Sequence, residues 1–74
     1  MLVQMRSIDS IRPYPDNPRD NDAAVEAVAA SLREFGFRQP LVVDTAGVIV
    51  VGHTRYKAAI ALGLSEVPVH SRRN

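Results

Sequence analysis

Arg12-Pro13-Tyr14-Pro15-Asp16-Asn17-Pro18-Arg19 places three prolines within six positions, and neither a helix nor a central strand can run through it. Each proline lacks the amide donor, and its ring pushes the preceding residue out of the helical region. The first element of the fold is therefore set apart from the next by a loop. A loop of this length is unusual in a chain of 74 residues, which is room for one small domain, and such loops often carry function.

On either side of the loop the pattern is regular. Leu2 to Ile8 alternates in part (Leu2, Val3, Met5, Ile8) and reads as a first strand, with Ile8 and Ile11 tucking under the sheet edge. After the loop, Asp20, Asn21 and Asp22 offer N-caps to a helix over Ala23–Phe35. Val25, Val28, Ala29, Leu32 and Phe35 stand at helical spacing, and the stripe of Val25, Val28, Leu32 and Phe35 is expected in the core. Gly36 stands where a helix C-cap is expected, with Phe37 as the hydrophobic contact after it. Leu41-Val42-Val43 and Val48 to Val51 are two short strands around the turn Asp44-Thr45-Ala46-Gly47, the spacing of a hairpin. His53 to Leu62 reads as a second helix, with Tyr56, Ala59, Ile60 and Leu62 toward the apolar side and Gly63 as its cap. Val67-Pro68-Val69 is a last strand, and Pro68 argues that it lies at an edge or begins there. The order is β-α-β-β-α-β.

Composition narrows the chemistry. With no cysteine there are no disulfides, no thiolate metal sites and no catalytic thiol, which suits a reducing compartment and a cytoplasmic setting. No apolar run approaches the roughly 20 residues that span a bilayer, so no membrane partner is expected. The net charge of +1 is small for a domain that holds DNA alone, so DNA contact is expected through neighbouring domains.

The sharpest chemical signal is Val51-Gly52-His53-Thr54-Arg55-Tyr56-Lys57-Ala58-Ala59. A strand that ends at glycine and runs straight into a helix leaves several N–H groups unpaired at the positive end of the dipole, an anion site. Arg55 is poorly placed there for dipole reasons, so it wants an anion. Lys57 reads either as a second phosphate cation or as solvated surface, and Thr54 either as the N-cap or as a phosphate or metal contact. Gly52 either serves the phosphate or simply lets the strand turn. His53, with an ordinary pKa near neutrality, is the candidate catalytic base or phosphate ligand, weighed against a helix-start histidine with no chemistry. Arg19 could reach this corner from the proline loop, and Gln39 either fixes its turn or reaches a nucleotide base. Asp16, Asp20 and Asp22 could hold a divalent ion, but capping and loop solubility explain them at less cost, and no metal site is assigned. His70 stands alone and reads as surface.

Three segments resemble the ParB family, within the wider ParB/sulfiredoxin superfamily. Asn17-Pro18-Arg19 resembles the N-P-x-x-P-R element after the first strand. Gly36-Phe37-Arg38-Gln39-Pro40-Leu41-Val42-Val43 matches the G-x-x-Q-P-hydrophobic run, and Gly52-His53-Thr54-Arg55-Tyr56-Lys57-Ala58-Ala59 matches the G-E-R-R-x-R-A-A box. The resemblance covers nearly the whole chain as one ParB-like N-terminal domain over residues 1–74, expected to be a module of a longer protein. It implies a small α/β fold with a mixed sheet packed on two helices.

The resemblance also implies a box that cradles the phosphates of CTP, as in partition proteins, or of ATP, as in sulfiredoxin, with Mg²⁺ as a companion ion. DNA, other protein domains and a second subunit are the partners it suggests. Some relatives are described as nucleases, one branch phosphorylates free serine, and copies with a similar box accompany phage and plasmid DNA methyltransferases. His53 stands where sulfiredoxin has its cysteine, so that reaction is excluded, and Thr54 replaces one arginine of the box. Three functions follow as expectations: a nucleotide-phosphate module of DNA-related machinery, a nuclease or phosphotransferase using His53 or a carboxylate such as Glu34 or Asp20, and a docking module with a vestigial phosphate site.

Overall fold

Capping residues stop both helices where the sequence placed them. The Gly36 N–H donates to the Leu32 carbonyl at 2.9 Å, closing the first helix. After the second, Gly63 N–H donates to Ile60 O and Leu64 N–H to Ala59 O, both at 3.0 Å, the paired bonds of a Schellman cap. Phe37 and Leu64, the residues that follow the two glycines, then fold back against the core.

The structure is a computed structural model and describes residues 3–14 and 22–71. Its elements are β1 (Val3–Ser7), a 3-10 turn (Ile8–Ser10), α1 (Asp22–Phe35), β2 (Leu41–Val43), β3 (Ile49–Val51), α2 (His53–Ala61) and β4 (Glu66–Ser71). This is the expected α/β order with a mixed sheet and two helices. Asp44 builds the hairpin turn: its Oδ1 accepts from the N–H of Ala46 at 2.8 Å and of Val48 at 2.9 Å, an Asx turn. Arg12 and Val48 form a bridge beyond the strands. The proline loop from Pro15 onward, with Asn17, Pro18 and Arg19 and the cap candidates Asp20 and Asn21, lies outside the described residues. Asp22 begins α1 instead of preceding it.

The four strands lie in the order β1-β4-β2-β3. β1 pairs antiparallel with β4, β4 parallel with β2, and β2 antiparallel with β3. The last strand is thus interior, which corrects the first of the two readings of Pro68, the edge position. The register explains how proline is accepted there. Ile8 N–H donates to Ser65 O at 2.9 Å, so Arg6/Val67 and Gln4/Val69 are the hydrogen-bonded pairs, and Met5/Pro68 is a non-bonded pair. The Pro68 nitrogen therefore faces away from β1, toward β2, where pairing starts only one residue later, at Leu41/Val69. The missing donor falls just before the β2–β4 ladder begins.

The core is a cluster of Ile11, Leu41, Val43, Ile49, Ala59, Val67 and Val69, with Ile8, Phe37, Tyr56 and Leu64 packed on it. The strand residues among these alternate, so one face of β2 and β4 is sealed by α2 and by the segment after β1. α1 packs on α2 and makes no comparable contact with a strand. This corrects the apolar stripe: Val25, Val28 and Leu32 are only half-buried, Phe35 is 63% exposed, and Ala29 is the α1 side chain that is buried. On α2, Ile60 is 53% exposed and the buried pair is Ala58 and Ala59.

Candidate functional site

Gly52 sets the geometry of the corner between β3 and α2. It is the N-cap residue of α2, at φ 103° and ψ 27°, and no side chain caps the helix. A Cβ built there would stand 2.5 Å from Leu41 Cδ2 and 3.1 Å from the Arg55 Nη2. Glycine is thus required twice, by a left-handed backbone and by Leu41 beneath it. The first intrahelical bond closes from Tyr56 N–H to Gly52 O at 2.9 Å. The N–H groups of His53, Thr54 and Arg55 therefore have no acceptor within the helix. Thr54 is the second helical residue and so is not the N-cap.

Arg55 turns back from this helix start toward the head of β2. Its Nη1 donates to Gln39 Oε1 at 3.4 Å and its Nη2 to the Pro40 carbonyl at 3.3 Å, while Nε is buried without a partner. Both acceptors are neutral, so among the described residues its bonds leave the charge uncompensated. The Gln39 side chain is thus tied to Arg55 at the start of α2. The two residues share an open groove of about 330 Å³ with Val28, Leu32, Phe35 and Arg38 among its walls. Arg38, which the sequence reading passed over, brings a second guanidinium to the same groove. Its place between Gly36 and Gln39 was the available signal.

His53 meets the other side of the corner. Its Nε2 accepts the backbone N–H of Tyr14 at 3.2 Å, which places the proton of the neutral ring on Nδ1. Desolvation by burial, and next the charge of Lys57, hold its pKa below the ordinary 6.5. This histidine is a neutral clasp between α2 and the start of the proline loop. As a base it offers Nε2 only when Tyr14 lets go. Lys57, half-buried one turn into α2, adds its charge beside His53. Arg19 lies outside the described residues. No cluster of metal-ligating side chains occurs among the described residues, and no helix there is long and apolar enough to cross a membrane.

Helix-start amides with no acceptor in the helix, an αL glycine that admits no side chain, and an Arg55 guanidinium whose partners among the described residues are neutral together suit a phosphate-bearing ligand. The chain is similar to several known proteins. The sequence profile of the ParB N-terminal domain matches residues 2–73. The chromosome-partitioning protein Spo0J of Thermus thermophilus is 45% identical over 64 residues, covering 80% of this chain and 24% of that protein. The ParB-like nuclease domain-containing protein YnaK of Escherichia coli is 34% identical over 70 residues, covering 93% of this chain and 80% of that protein. Among solved structures, the C-terminally truncated chromosome-partitioning protein ParB of Caulobacter crescentus, complexed with CTP-γ-S, matches with a TM-score of 0.84 at 33% identity. That match covers all of this chain and 46% of the other. The chain therefore spans about a quarter of the partition protein Spo0J and most of YnaK.

Proposed function

The chain belongs to the ParB N-terminal domain family, and from that premise we propose that it is a nucleotide-phosphate-binding module of DNA-related machinery of the partition type. The observation that carries this reading is the α2 corner: amides of His53, Thr54 and Arg55 with no acceptor in the helix, above a Gly52 that leaves space for no Cβ. In this reading the amides and Lys57 hold phosphate oxygens, and Arg19 comes to them from the proline loop. Arg55 and Gln39 face the groove where sugar or base would lie. The ParB of Caulobacter crescentus solved with CTP-γ-S supports a cytidine nucleotide first; ATP as the alternative, and Mg²⁺ on the phosphates, follow from the resemblance alone. DNA contact comes through further domains, in keeping with the net charge of +1.

Titration of the purified chain with CTP, ATP and GTP, with and without Mg²⁺, tests the proposal. Saturable binding is expected, and Arg55→Ala should weaken it by about tenfold or more, the loss of one charge-assisted contact. No binding of any of the three, or an unchanged affinity in Arg55→Ala, defeats the reading and leaves a docking module with a vestigial site. The name of YnaK keeps a nuclease as the second reading. It requires cleavage of single-stranded DNA that disappears in His53→Ala.

A further inference from the structure

We infer that β1 is a self-pairing edge, through which two copies of this chain join antiparallel into one continuous sheet. The inference does not depend on nucleotide binding and rests on backbone direction. β1 is an outer strand. The bond from Ile8 N–H to Ser65 O extends the β1–β4 ladder and fixes its phase. Gln4 and Arg6 spend their amides and carbonyls on β4. Val3, Met5 and Ser7 therefore point theirs outward. The Ser7 carbonyl is spent on the 3-10 turn Ile8–Ser10, with Ser10 Oγ also donating to it at 2.7 Å, so Ser7 offers its N–H alone; the other outward groups meet no partner among the described residues.

The fold guards its two edges unequally. The outer strand β3 has three residues, a shifted register against β2, and the Arg12 segment laid beside it, with Ile49 N–H donating to Arg12 O at 2.8 Å. Such features stop edge pairing. β1 has none of them. Its five residues are in unbroken register with β4 and contain no proline. Its one charge, Arg6, is turned aside to the Ser10 carbonyl at 3.2 Å. Val3 is 48% and Met5 59% exposed, so the bare edge carries apolar side chains.

The sequence of this edge is complementary to itself. A two-fold axis at Met5 sets Met5 beside the partner's Met5, Val3 beside the partner's Ser7, and Gln4 beside the partner's Arg6. All outward-facing residues then meet outward-facing residues, and no like charges face each other. A slip of one residue sets outward groups against inward ones. A slip of two shortens the ladder, and in one direction it stacks Arg6 on the partner's Arg6, which is unfavourable. The symmetric register is the longest that satisfies both demands, and it is the isologous contact of a closed dimer.

The test is self-association of the 74-residue chain from about 10 µM to about 1 mM, followed by sedimentation and by amide exchange. Dimer is expected to grow with concentration, and protection to rise at the amides of Val3, Met5 and Ser7. The amides of Gln4 and Arg6, already bonded to β4, should not change. Met5→Lys sets two ammonium groups face to face and should weaken association roughly tenfold or more, while Val51→Lys, on the opposite edge, should leave it unchanged. A chain that stays monomeric at the highest concentration, a dimer whose added protection lies elsewhere, or a Met5→Lys variant that associates like the parent overturns the inference.

Discussion

Gly52 and His53 hold the corner together by opposite means, one by lacking a side chain and the other by using one. At Gly52 a β-carbon meets both a left-handed φ of 103° and Leu41 Cδ2 at 2.5 Å, in a part of the core where Leu41 is fully buried. Strain of this kind costs about 2–3 kcal/mol, which in a domain of this size lowers the melting temperature by roughly 10–20 °C. Gly52→Ala should show that fall in a thermal melt; a fall of only a degree or two means the corner can rearrange. His53 gives a pH signature. Its folded pKa is depressed by desolvation and then by Lys57, so in the window below 6.5 the unfolded chain binds more protons than the folded one. The stability this residue contributes is complete above pH 6.5 and is lost as pH falls from there through the folded pKa. Melting temperatures taken from about pH 8 to about pH 5 should drop more steeply for the parent than for His53→Gln, whose amide oxygen can still accept from Tyr14. Parallel curves would show that His53 is not held neutral by folding.

Among the elements, α1 shows what periodicity reveals and what it hides. The spacing of Val25, Val28, Leu32 and Phe35 announces a helix, and a helix is there. It does not announce what receives the stripe. α1 rests on α2 and not on the sheet, so the fit is made by small residues, with Ala29 buried on one helix and Ala58 on the other, while Phe35 is left in solvent. Ala29 stands at the same helical spacing as the larger residues, and spacing alone does not say that it, and not Phe35, is the member sealed by the neighbouring helix. The consequence is a reversed order of sensitivity. Ala58→Leu should cost about 1–3 kcal/mol through overpacking, whereas Phe35→Ser, a larger chemical change, should stay within about 0.5 kcal/mol. Urea unfolding of the two variants decides between this packing and the stripe-in-core arrangement, which demands the opposite order.

For the molecule as a whole, the decisive element is the one at the end of the chain. Element types and their order were legible because Gly36, Gly63, the Asp44–Gly47 turn and the prolines each act locally. The candidate corner was legible because a glycine, a helix start and an arginine are contiguous. The place of β4 was not, since Pro68 says only that one donor is missing, and the register alone decides on which side and opposite what. Once placed, β4 joins β1 to β2 and contributes Val67 and Val69, both buried, to the core. Burial of the two side chains is worth about 3–6 kcal/mol at roughly 1.5–3 kcal/mol each. A domain of 74 residues has in total about 4–11 kcal/mol. Without β4 the sheet also falls into a lone strand and a hairpin of three-residue strands, too little to stand in water. A chain ending at Ser65 should therefore show no cooperative melting transition, whereas one ending at Ser71 should melt as the full chain does. If the shorter chain still unfolds in a single sharp step, β2, β3 and the two helices form a stable unit by themselves, and β4 is an addition to the fold and not its centre.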